Sequence, residues 1–164
     1  MMTGMKFRHE LEYDAPSDEV YAMLVDPAFR EEVCKAQDAH SSDVTVKPTG
    51  TGMSVVVDQK RPADGIPSFA KKFVGEEIQV LQKEEWTNRS GAALHVSIPG
   101  KPGEMKGTIS LDAKGTGTVE IVEGDIKVSI PLVAGKLEKM IGDLLASALK
   151  AERRVGTKWL AGQR

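Results

Sequence analysis

The chain has 164 residues, 40% of them hydrophobic and 28% charged, which suits one globular domain spanning residues 1–164 with a single core. Its formal net charge of −2 supplies no electrostatic pull on nucleic acid or an anionic membrane, and its one cysteine, Cys34, leaves no internal disulfide or cysteine–zinc cluster to build. No apolar run approaches the ~18 residues of a membrane-crossing helix, so no integral membrane segment is expected. Residues 1–10 lack a hydrophobic signal core, so a cytoplasmic location is expected.

From Lys6 to Tyr13 the residues alternate, with Phe7, His9, Leu11 and Tyr13 on one face and Arg8, Glu10 and Glu12 on the other. That pattern predicts a half-buried strand. Ala15-Pro16-Ser17 ends it, and Ser17 or Asp14 is placed to cap a helix running to about Val25. Asp26-Pro27 then restarts the chain as an Asp cap followed by proline at the first helical position. Phe29, Val33 and Ala36 form the apolar stripe of this second short helix.

From Ser41 the period becomes two. Val44 and Val46 lead to a turn at residues 48–52, and Met53, Val55 and Val57 alternate with Ser54, Val56 and Asp58 beyond it. Residues 62–67 are a loop by composition, and Ser68 to Phe73 reads as a brief helical turn or a bulged segment. Strands are predicted over Glu76–Trp86, Ala92–Ile98 and around Met105–Leu111. A last strand, Thr118–Ile130, is expected to start with Val119 and Ile121 inward and finish with Ile126, Val128 and Ile130 inward. Its parity changes across Glu123-Gly124, which predicts a bulge there.

Leu132 to Leu160 is one long amphipathic helix. Val133, Leu137, Met140, Ile141, Leu144, Ala148, Ala151, Val155 and Trp159 recur at three- and four-residue steps, and Leu145 and Leu149 widen the stripe. Such a helix spans roughly 43 Å, whereas six or seven strands make a sheet about 30 Å wide. One helix can therefore cross the whole sheet, and Leu137 and Leu144 are expected to matter equally to its packing. Gly142, in the middle of the helix, predicts a bend or thinning. The order is strand, two helices, about six strands, long helix, with short turns that favour an antiparallel meander.

Chemical motifs are sparse. His9, His40 and His95 stand too far apart for ligand spacing on one element, so no metal is expected. Gly135-Lys136 is followed by Leu137 where a phosphate loop needs Ser or Thr, and the paired glycines at residues 50–52 and 115–117 read as hairpin turns. Cys34 lies beside Glu31 and Glu32, which disfavours a thiolate and makes it a small buried hydrophobe. Lys150, Arg153, Arg154 and Lys158 sit where a helix C-terminus stabilises cations. No catalytic residue and no cofactor is expected.

Strand parity carries what remains. If Ile78, Val80 and Trp86 face the helix, Gln82 and Glu84 face it too, and Gln59 follows inward Val55 and Val57. Polar groups on a covered face are costly unless satisfied, so they mark either a solvated mouth or the wall of a ligand cavity. The first strand is expected to contribute His9, Leu11 and Tyr13 to a ligand-binding cavity, with the His9 pKa lowered by burial. The central strands contribute Met53, Val55, Val57, Val80, Glu84, Trp86, Met105 and Ile109, and the long helix Met140, Leu144 and Leu145. His95, between outward positions, is a surface residue.

The stretch Ala15 to Pro27, a hydrophobic helix closed by Asp-Pro, and Ile130-Pro131-Leu132-Val133-Ala134-Gly135-Lys136-Leu137-Glu138 resemble the START and birch-pollen-allergen superfamily, which includes polyketide cyclases and lipid-transfer domains. Phe29-Arg30-Glu31-Glu32-Val33-Cys34 and Thr157-Lys158-Trp159-Leu160 are similar to an uncharacterised bacterial family within it. The resemblance implies an α+β helix-grip fold, a curved antiparallel sheet of about seven strands (β-α-α-β6-α) wrapped around a long C-terminal helix. It also implies a small hydrophobic partner, lipid or polyketide-like, held between sheet and helix, and it sets no oligomeric state. Because no catalytic motif accompanies it, a non-enzymatic carrier or sensor is expected. The alternatives are a cyclase- or hydrolase-like enzyme on the same fold, or a chaperone-like interaction module.

Overall fold

The structure, a computed structural model, describes residues 4–64 and 66–162. Its elements run β1 (Met5–Tyr13), α1 (Ser17–Leu24), α2 (Pro27–Ala36), β2 (Ser41–Thr49), β3 (Gly52–Pro62), α3 (Ser68–Val74), β4 (Glu77–Asn88), β5 (Gly91–Ser97), β6 (Gly103–Lys114), β7 (Gly117–Val128) and α4 (Ala134–Leu160). Seven antiparallel strands form one sheet in the order β1-β7-β6-β5-β4-β3-β2. Six of them follow as a meander, and β1 returns to the free edge of β7. This is the α+β helix-grip architecture, with α4 lying across the concave face.

Local chemistry explains most boundaries. Asp26 caps α2 through a 2.9 Å bond accepted from Ala28 N–H, with Pro27 opening the helix. At α1 the expected side-chain cap is absent and Pro16 holds the N-cap position. Ser17 Oγ lies instead 3.2 Å from Thr118 Oγ1, which donates to Ala15 O, so this hydroxyl joins α1 to β7. The undecided stretch after residue 67 is helical, as α3.

Strand β7 departs from the expected parity. Its register against β6 is unbroken from Gly117 to Val128, and so is its register against β1. No bulge exists at Glu123-Gly124, and the inward set is Thr118, Glu120, Val122, Gly124, Ile126 and Val128. Gly124 faces Gly107 of β6, and a Cβ on Gly124 would stand 2.2 Å from Lys106 O. A cross-strand pair of glycines thus permits close backbone approach without an inserted residue. The register shift that does occur lies between Trp86 and Asn88, where β4 meets β5.

Helix α4 runs unbroken through Gly142. A Cβ there would come within 2.6 Å of Met5 Cε and 3.5 Å of Ile126 Cδ1, so the glycine serves a close approach to β1 and β7 rather than the expected bend. Gly156, four turns on, lies equally close to Tyr13, whose Cε1 would be 2.7 Å from an added Cβ. The helix is thereby drawn down onto β1, β7, α1 and α2, and it stands away from β3, β4 and β5. Leu137 is fully buried, whereas Leu144 is only half-buried, so the two are not equivalent.

Candidate ligand-binding site

The gap between α4 and β3–β5 contains a charged cluster at its inner end. Arg30 of α2 sits on the buried stripe with Phe29, Val33 and Cys34, so its guanidinium enters the core with them. Arg30 Nε donates to Leu24 O at 2.7 Å, anchoring the last turn of α1. Its Nη2 donates to Glu84 Oε1 at 2.6 Å, and its Nη1 lies 3.9 Å from Glu152 Oε1. Trp86 Nε1 also donates to Glu84 Oε1, at 2.9 Å, and Gln82 Nε2 donates to Glu84 Oε2. Glu84 is therefore fully supplied with donors, which is the condition for burying a carboxylate.

Glu120 of β7 and Glu152 of α4 complete the cluster, with their buried carboxyl groups close enough to act on one another. Burial, then the facing Glu152 charge, holds the Glu120 pKa well above the ordinary carboxyl range, which favours its protonated form. Burial raises Glu152 as well, with Arg30 opposing it. Burial opposes the charge on Arg30, but Glu84 and Glu152 outweigh it and keep the guanidinium charged. The Tyr13 hydroxyl, buried close to Glu120 and Glu152, is likewise pushed up. The arrangement is one cation held among three carboxyls, two of which have raised pKa values.

Two adjoining chambers open beside this cluster. The inner one, about 30 Å³, is walled by Glu84, Glu120, Glu152, Gln37, Gln59 and Gln82, with Phe7, Met105, Ile109, Val122 and Leu149 among the apolar lining. The outer one, about 410 Å³, is mostly aliphatic, with Ile66, Ile78, Ile98, Ile141 and Leu144 in its walls. Gln37, Arg61, Val80, Val96 and Leu145 line both, so they form the boundary the two share. Gln37 fixes the sill, since its amide donates to Ala148 O and accepts from Gln59 Nε2, each at 2.9 Å. Burial lowers the pKa of Arg61.

Of the residues expected at the site, Val80, Glu84, Met105, Ile109 and Leu145 line the inner chamber. Leu144 lines the outer chamber, and Met140 lines a separate surface groove beside α3. Leu11, Tyr13, Val55, Val57 and Trp86 are core residues outside the walls of both chambers, and Met53 pairs with Trp86 on the neighbouring strand. His9 is half-buried opposite Val122 and does not line either chamber. Burial and then the nearby Lys150 charge lower its pKa. His95 lies 2.8 Å from Glu104 on the outer face.

Arg30, Glu120 and Glu152 were missed because charged residues at the edge of an apolar stripe read as solvent-facing. Two signals pointed to Arg30 and Glu120. An inward Glu84 requires a buried counter-charge, and Arg30 adjoins Phe29 on the only apolar face of its helix. Likewise, strict period two through Val122, Gly124 and Ile126 carries Glu120 inward. Among the described residues, no group of three His, Cys, Asp or Glu is placed to hold a metal ion, and no helix is long and apolar enough to cross a membrane.

Comparison with known proteins agrees with the fold. Residues 8–160 match the family described as "Protein of unknown function (DUF2505)". The uncharacterized protein Rv0481c of Mycobacterium tuberculosis is 26% identical over 114 residues, spanning 66% of each chain, just under two thirds of that relative's length. Among solved structures, TTHA0849 from Thermus thermophilus superposes with a TM-score of 0.66 at 20% identity, covering 98% of this chain and 100% of that one. The di-domain ARO/CYC StfQ of the steffimycin biosynthetic pathway gives 0.66 at 12% identity over 96% of this chain and 51% of its own. A START superfamily protein from Mycobacterium smegmatis gives 0.59 at 14% identity, covering 93% and 97%.

Proposed function

Since the chain belongs to the DUF2505 family and folds as a START/Bet v 1-like helix-grip domain, we propose that it binds a small, mainly hydrophobic molecule between sheet and α4, as a carrier or sensor in the cytoplasm. The observation that carries this reading is the aliphatic outer chamber of about 410 Å³. That volume suits a small-molecule pocket, and convergent polar groups at one end are the usual means of orienting a ligand. Native mass spectrometry of the purified protein checks the proposal by revealing a co-purified small molecule. Filling the outer chamber should abolish that signal: Leu144→Trp places an indole in the gap while leaving the buried Leu137 face of α4 untouched. Unaltered retention of the molecule by Leu144→Trp would overturn the assignment of the chamber.

One observation favours a second reading, an enzyme such as a cyclase. A protonated Glu120 beside Glu152, at the end of an apolar chamber, is a pair suited to general acid–base work. StfQ, which shares the fold, is an ARO/CYC. Turnover of a cyclisable substrate that is lost in Glu120→Gln would favour this reading over the carrier.

A further inference from the structure

The inner chamber has acceptors to spare and few donors. Gln59 Oε1, Glu120 Oε1 and Glu152 Oε2 are buried with no hydrogen-bond partner, and all three belong to residues that wall it. Each of those residues is more than nine-tenths buried. Most neighbouring donors are already engaged, Gln59 with Gln37, Gln37 with Ala148 O, and Gln82, Trp86 and Arg30 with Glu84. The Tyr13 hydroxyl, also buried without a partner, stands outside the chamber walls, and Arg61 stands at the boundary with the outer chamber. An unsatisfied buried acceptor costs about 1–3 kcal/mol, so three around one small space mark a position where donors belong.

Charge selects among possible donors. The groups facing Glu120 are Glu152 on α4, Glu84 on β4, Arg30 on α2 and Tyr13 on β1. Counting Arg61, which lines both chambers, two guanidinium groups meet three carboxyls, and the raised Glu120 pKa favours the protonated form that balances them. A cation entering the chamber can take the place of that proton, whereas an anion would face an uncompensated carboxylate. Asp38 and Asp64 line the outer chamber with Arg61 and offset its charge along the way in. The inner volume of about 30 Å³ admits a group of one or two water-sized atoms, so only a compact head group fits.

We infer that the inner chamber recognises the protonated amino group of an amphiphilic ligand, with Gln59, Glu120 and Glu152 accepting its three N–H bonds and the outer chamber holding its apolar body. This inference rests on the binder reading above and adds the chemical class of the head group. An ammonium seated there favours the ionised form of Glu120, so its capture releases a proton to solvent. No covalent bond forms or breaks.

The test is calorimetric titration of the intact protein with three probes of equal chain length, n-octylamine, 1-octanol and octanoate. The amine series is repeated in two buffers of different ionisation enthalpy. Octylamine is expected to bind at least about tenfold more tightly than octanol, a difference of roughly 1.4 kcal/mol, and octanoate more weakly than either. Its heat should depend on the buffer with the sign of proton release. Glu152→Gln, checked for folding by circular dichroism, should reduce octylamine to the level of octanol. Glu120→Gln, which keeps the shape of the protonated carboxyl but cannot ionise, should bind octylamine more weakly than the wild type and without releasing a proton. Equal or tighter binding of octanol or octanoate would overturn the head-group inference and leave the binder reading standing. Failure of all three probes to bind would overturn the binder reading itself.

Discussion

Helix α4 meets the two halves of the sheet in different ways. Over β1 and β7 it is close-packed, with Gly142 and Gly156 letting the helix backbone settle onto Met5, Phe7 and Tyr13. Over β3, β4 and β5 it stands off, and Leu144, Leu145, Ala148 and Leu149 look into open chambers. The close half contributes stability through dense apolar contact. In the open half, the job of holding the structure passes to Arg30 and its carboxylates, which span α2, β4 and α4 without filling the space. One helix thus clamps at one edge and roofs a cavity at the other, and small residues on a single face decide which.

The largest expected effect comes from breaking the charged tie of the open half. Arg30→Met removes the buried guanidinium and leaves Glu84 and Glu152 uncompensated, so it should destabilise by about 3–5 kcal/mol in urea titration. A loss below about 1 kcal/mol would mean that the open half is not held by this tie. Next comes the contrast along α4. Leu137→Ala, in the packed part, should cost about 2–5 kcal/mol, whereas Leu144→Ala, already beside a cavity, should cost about 1 kcal/mol. Equal midpoints for the two would erase the difference between the halves.

The glycines sharpen the same comparison. Gly156→Ala drives a methyl into the Tyr13 ring, with Met23 Cε also only 3.1 Å away, and should destabilise by about 1–3 kcal/mol. At Gly142 the obstacle is the end of the flexible Met5 side chain, and the gain of about 1 kcal/mol from replacing a helical glycine offsets the strain. Gly142→Ala should therefore lie near the wild type in thermal melting, and a loss as large as that of Gly156→Ala would show a rigid contact there too. The smallest effect is a slope. Glu120 has a raised pKa in the folded protein, so its contribution is fully present below the ordinary carboxyl value near 4.5 and is lost as pH rises through the folded value. Glu152 acts in the same direction. Glu120→Gln removes one titrating group, so its stability should fall less than that of the wild type between about pH 5 and pH 8. Parallel curves would show that Glu120 is not the proton carrier.

The close-packed half was legible in the sequence and the open half only partly. Periodicity alone located β1, α4 and the meander, because their buried sides are apolar and repeat at two or at three and four residues. Glu84 and Gln82 were placed inward by the same logic. Arg30, Glu120 and Glu152 escaped it, since a pattern that equates charge with solvent assigns each of them outward. On β7 this error also produced a bulge that does not exist, because treating Glu120 as outward forces a change of parity before Ile126. What distinguishes a buried charge from an exposed one is its partner on another element. Those partners stand far apart in the chain: Arg30 and Glu84 are separated by 54 residues. Ligand-lining positions were similarly blurred, because Leu11, Val55 and Val80 share a periodicity while only Val80 meets a chamber.

The pairing of β1 with β7 has a consequence for the order in which the molecule is made. Leu11 is bonded opposite Glu120, so during synthesis at about 5–20 residues per second the first strand waits roughly 5–20 s for its partner to leave the ribosome. Through that interval its ladder groups are open to any other nascent chain. The alternating Arg8, Glu10 and Glu12 on its outer side are the charged residues that discourage such edge-to-edge pairing. The strand's solvent face therefore protects the polypeptide before there is a fold to protect.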